Sequence, residues 1–244
     1  MKLSVKLALI HALASALLLW LGYYWLGLGE GRAAALLWSA LVAVALVSLG
    51  SWCYGAAFLY FDAPVLAAWR TALRHLLPLA VAAVFLAILY FALDGFAASR
   101  NSWAATTASW FTLKLRKPVR PAAVLRVIEI VLWLVRWMVL PVLWLPMVAG
   151  IASLGWRGFR AVGSRWRKPL YWVEAPVLLL MAAWLPLKLL AWVPEMAGFG
   201  LQMASFAARA AAAYLLFVAG WLAIAFVTSG GKPRLTQPKT AVSP

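Results

Sequence analysis

Of the 244 residues, 66% are hydrophobic and only 11% are charged, far from the roughly one quarter charged that is usual in soluble domains. That balance excludes a water-soluble domain and predicts an all-α, polytopic membrane bundle. The 22 basic residues outnumber six acidic ones, for a net charge of +16, but they lie mostly between apolar runs, where they meet anionic lipid headgroups, and nucleic-acid binding is not needed to explain them.

In chain order, the first span is expected over about 7–28, behind Lys2 and Lys6. Ala12-Leu13-Ala14 has the small-residue pattern of a signal-peptidase site, yet the apolar run continues through LLLWLGYYWLGL, which reads as an uncleaved anchor. Gly29-Glu30-Gly31-Arg32 makes a tight turn into a second span at about 33–60, where Ser51 and Gly55, one turn apart, offer a small-residue contact face. Asp62 to His75 opens on a capping Asp, places Arg70 and Arg74 one turn apart, and predicts a short interfacial helix ahead of a third span at 76–96. The following segment, to residue 121, is too polar for a crossing and too aromatic for a disordered loop. With Trp103, Trp110 and Phe111 it suits a surface-lying or re-entrant stretch.

Residues 122–155 are the most informative. At 100° per residue, Arg126, Glu129, Trp133 and Arg136 fall on one arc of roughly 80°, a polar stripe on an otherwise apolar cylinder. A continuous helix over this stretch measures roughly 50 Å against a hydrocarbon core of about 30 Å. The first part is therefore expected in or tilted through the interface, with the stripe facing headgroups, partner helices or a cavity, and the crossing proper bent at Pro141 and Pro146.

Arg157, Arg160, Arg165, Arg167 and Lys168 form the densest basic cluster. A fifth span covers about 170–193, with Glu174, Pro176, Pro186 and Lys188 inside it, and Pro194-Glu195 turns the chain into a sixth at 202–228. There Ala204, Ala208 and Ala212 set out a close-packing face. The tail, 230–244, has the composition of a disordered segment. The sixteen tryptophans gather near span ends, as an aromatic belt requires. WRTALRHLLPLAVAAVFLAIL and SRWRKPLYWVEAPVLLLMAAW each set basic residues ahead of a proline-containing span, a faint internal echo that the charge bias also produces.

With six spans and both termini cytoplasmic, twelve basic residues fall inside and six outside, although LKLRKPVRP then lies on the unfavoured side. A bacterial-type cytoplasmic membrane is expected. No phosphate-binding loop, dinucleotide fingerprint, HExxH or paired-cysteine motif is present, and Cys53 is the only cysteine. No cofactor or metal is implied.

Three functions remain open. A non-enzymatic scaffold or accessory subunit, partnered by another membrane chain or a second copy, suits the missing catalytic motifs. A carrier for an anionic or amphipathic solute would use Lys188 and Arg209, from the two sides of one turn, with Glu174 and Glu195, because intramembrane charges are costly unless paired or wet. A haem- or quinone-bearing redox subunit would rest on His11 and His75 as paired axial ligands.

Overall fold

The computed structural model of the protein describes residues 5–29, 31–160, 169–195 and 198–229. Glu30, the Arg165, Arg167 and Lys168 end of the basic cluster, and the 230–244 tail lie outside the described residues. The chain forms α1 (Val5–Leu26), α2 (Ala33–Ala57), α3 (Val65–Arg74), α4 (Leu76–Ala98), α5 (Arg100–Leu115), α6 (Pro121–Leu134), α7 (Leu140–Leu154), α8 (Tyr171–Leu179), α9 (Leu185–Ala191) and α10 (Phe199–Ser229). No strand occurs among the described residues. Six helical stretches are long and apolar enough to cross a membrane, with α6–α7 and α8–α9 each counting as one. The protein is a polytopic α-helical membrane bundle.

Those two composite spans share a device. Between α6 and α7 the backbone widens into a π-helical turn at Val135–Val139, and between α8 and α9 another occupies Leu180–Trp184. Each is followed by Leu-Pro, at Pro141 and at Pro186. Proline lacks the N–H that would bond four residues back, and its ring crowds that carbonyl, so the preceding turn opens to make room. Pro146 and Pro176 sit inside α7 and α8 without such a turn.

The core lies where α2 meets α4 and α7 on one side and α10 meets α8 and α9 on the other. Phe58, Ile151 and Ile224 are its largest wholly buried apolar side chains. Outward faces stay apolar, with Leu13, Leu17, Leu41 and Phe91 exposed, as lipid-facing helices require, and helix association there relies on close fit. Two glycines show it. After Gly155 the chain folds back on α7 as a 3₁₀ turn (Gly155–Arg160), and a Cβ at Gly158 would collide with the backbone of Gly150 and Ile151. At Gly220 a Cβ would meet Ala182, so the second π-turn rests directly on α10.

Two expectations need correction. Asp62 does not cap α3: the N-cap is Pro64, without a side-chain cap bond, and proline's fixed φ prepares the entry instead. Ala204, Ala208 and Ala212 are exposed, because α10 turns Ala213 and Gly220 toward its neighbours. The segment after the third span is a regular helix, α5, and the first part of the fourth span packs against it. The basic residues of the second echo segment, Arg165, Arg167 and Lys168, lie outside the described residues.

Candidate functional site

Contacts along α4–α5 and α6–α7 trace one antiparallel register. His75 Nδ1 lies 2.9 Å from the Ala152 carbonyl oxygen, and Phe85 stacks on Trp144 with ring centres 5.6 Å apart. Tyr90 donates to the Arg136 carbonyl at 2.8 Å, Asp94 pairs with Arg136, and Arg100 Nε stands 3.6 Å from Glu129. The Val119 amide donates to Thr112 Oγ1 at 3.0 Å, beside the turn where Arg116 adopts the left-handed conformation (φ 52). Each step up one arm is matched by a step down the other. α6 through α7 makes an arm of roughly 50 Å at 1.5 Å per residue, and even a tilt of about 40° hides only about 40 Å of it within the hydrocarbon. The arm is therefore longer than a tilted crossing of the apolar layer requires.

A charged cleft lies where the hairpin changes character. Glu129, Trp133 and Arg136, three members of the predicted stripe, face Asp94 from α4 and Arg100 from α5 around a cavity of about 210 Å³ that Trp137 also lines. The side chains of both ion pairs are about half exposed, from 39% to 58%. Arg126, the remaining stripe residue, is exposed and does not line the cavity. Local backbone sets this geometry: α4 breaks into α5 at Ser99 (φ −88, ψ 5), and Arg136 lies in the first π-turn opposite. Asp94 and Arg100 are missing from the sequence reading. Their signal was present, since Asp94 is a lone acid ending an apolar run, with Arg100 six residues on.

The second candidate group is not brought together. Arg209 donates through Nη1 to the carbonyls of Leu189 at 3.5 Å, Leu190 at 3.4 Å and Trp192, and through Nε to Ser205 at 3.3 Å. Its guanidinium thus serves the last carbonyls of α9, which have no partner within the helix and carry partial negative charge. Lys188 is exposed, with Nζ 5.6 Å from the centre of the Trp184 ring, an attraction of cation to ring face. Glu174 stands half-buried in the first turn of α8, where a helix favours negative charge, and Glu195 is exposed beyond α9. Among the described residues no ion pair joins any two of these four.

The histidines have separate surroundings. His11 is fully buried, edge-on to Tyr54 and Tyr60, with Nδ1 3.7 Å from Cys53 Sγ. His75 directs Nδ1 to Ala152 and packs against Gly155. No contact joins the two rings. Tyr60 lies in the turn after α2, and burial pushes its phenol well above the usual range.

A further cavity, about 340 Å³, is apolar and walled by Leu79, Pro141, Trp144 and Trp221. The π-turns touch each other beside the charged cleft, where Trp133 meets Trp184 edge-on, ring centres 6.2 Å apart. Comparison with protein families, characterised proteins and solved structures finds no match to this chain.

Proposed function

We propose that the protein is a non-enzymatic scaffold or accessory subunit of a membrane complex, set in a bacterial-type cytoplasmic membrane with both termini in the cytoplasm. The observation that carries this reading is the distal half of the hairpin. α6 contributes no buried residue and α5 only Ala104 and Ala108. Trp110, Phe111, Leu113, Leu115, Val127 and Ile130 are exposed. α5 and α6 pack against each other yet leave these apolar side chains uncovered, and uncovered apolar surface is a mark of contact with another body.

The carrier reading has less support, because Arg209 is engaged by backbone carbonyls and Arg136 by Asp94. The redox reading has less again, because His11 and His75 belong to different contact sets. The orientation rests on the bias of basic residues toward the side of the termini. A reporter active only in the cytoplasm, fused at the C-terminus, tests it: activity is expected, and silence would invert the topology.

Native mass spectrometry of the chain gently extracted from its own membranes tests the main reading. A second chain or copy in fixed ratio is expected. It should vanish when residues 104–125 are replaced by a short Gly-Ser linker, while insertion and the helix content of the remaining spans persist. A lone chain before and after the replacement would overturn the accessory role.

A further inference from the structure

We propose that the cleft between α4, α5 and α6 binds the headgroup of an aminophospholipid, a phosphodiester joined to a primary ammonium. The four charges lining it alternate in sign, Asp94 against Arg136 and Glu129 against Arg100, and they sum to zero. A cleft of net positive charge selects simple anions. One with two cations and two anions matches a ligand that carries both signs, and it disfavours any ligand that leaves one pair of charges unanswered.

Bonding capacity remains on every member. A guanidinium offers five N–H donors. Arg100 directs Nη1 to the Ala97 carbonyl at 3.1 Å and Nε toward Glu129, and Arg136 gives Nη2 to Asp94. Both arginines keep donors for phosphate oxygens, and both carboxylates keep lone pairs for an ammonium, which carries three donors. Trp133 and Trp137 supply aromatic walls, a surface on which ammonium groups are held.

Size and position favour a lipid as the source of this zwitterion. About 210 Å³ holds a headgroup and excludes acyl chains. Leu93, Ala97 and Leu132 close the apolar side of the cleft, and Val131 and Leu134 are exposed beside them, a strip along which chains can descend. The cleft also sits where apolar α4 gives way to polar α5, which is where headgroups lie.

The test uses the full chain in nanodiscs holding equal amounts of phosphatidylethanolamine, phosphatidylglycerol and phosphatidylcholine, with retained lipids counted by native mass spectrometry. Phosphatidylethanolamine should be retained about tenfold over either competitor, the size expected of one or two charge-assisted hydrogen bonds. Phosphatidylcholine shares the charges but lacks ammonium N–H donors. Glu129→Gln should bring the ratio close to parity, and because that pair is half exposed the fold should survive its loss. Asp94→Asn is the second variant, and Arg126→Gln, outside the cleft, should leave the ratio unchanged. Equal retention of the three lipids, preference for phosphatidylglycerol, or a preference that survives both Glu129→Gln and Asp94→Asn would overturn the proposal. Binding of free phosphoethanolamine without any lipid preference would keep the zwitterion and overturn its lipid source.

Discussion

Where α4 passes α7, side chains interlock: Phe85 lies flat on Trp144 and His75 reaches the Ala152 carbonyl, while Gly158 of the following 3₁₀ turn brings its backbone against Gly150 of α7. Farther along the same two arms α5 and α6 still pack side by side, but only Ala104 and Ala108 are fully buried there, and Trp110, Leu113, Val127 and Ile130 stay exposed. In lipid, helices gain nothing from hiding apolar groups from one another, so their association depends on shape. Outside lipid the opposite holds, and a helix pair that leaves Trp110 and Leu113 uncovered forgoes the main source of stability available to it. The proximal region buries several of its large side chains, whereas the distal region leaves many of its own uncovered.

Four substitutions sharpen or break that contrast. Gly158→Ala places a methyl into the backbone of Gly150 and Ile151 and should cost about 3 kcal/mol or more, the upper range for overpacking, read by denaturant unfolding in mixed micelles. Gly220→Ala presses on Ala182 alone, and about 2 kcal/mol is expected in the same assay. Arg209→Gln removes donors from the end of α9. A loss of about 1 kcal/mol should accompany faster hydrogen exchange confined to residues 189–193. Ala108→Leu overfills the distal contact, yet the bundle's unfolding should move by less than about 0.5 kcal/mol. The distance between spin labels on Ser109 and Ala122 should increase, as the arms part without disturbing the core. A loss as large as that of Gly158→Ala would show that the distal pair is part of the core and end the distinction.

The six spans were legible because sustained hydropathy is a property of a single segment. Helix α5 was not, since RNSWAATTASWFTLKL is neither apolar nor strongly two-faced. Its role follows from α6 lying alongside, with Ala104 and Ala108, one turn apart, as the only local hint. The stripe of Glu129, Trp133 and Arg136 was visible as an arc, but its partners Asp94 and Arg100 sit on other helices, and periodicity in one helix says nothing about which neighbour it faces. Lys188 and Arg209 stand on the two helices, α9 and α10, that flank one turn. Their engagements were hidden because backbone carbonyls and a ring face, unlike carboxylates, leave no mark in a sequence. The prolines marked the two disturbed helices, although the widened turns ahead of Pro141 and Pro186 depend on backbone detail that proline alone does not dictate, as Pro146 and Pro176 show.

Those widened turns have a genealogical consequence. A single turn bonded five residues back holds one residue more than the α-helical turn it replaces, so each composite span has the length of a straight helix plus one inserted residue. A relative lacking Pro141 or Pro186 should be one residue shorter within 135–139 or 180–184, with every residue on either side in its present orientation. Deleting one residue there, together with changing the proline to alanine, should therefore be tolerated. A deletion of the same size elsewhere in these helices would rotate half the span by about 100° and point its apolar face the wrong way.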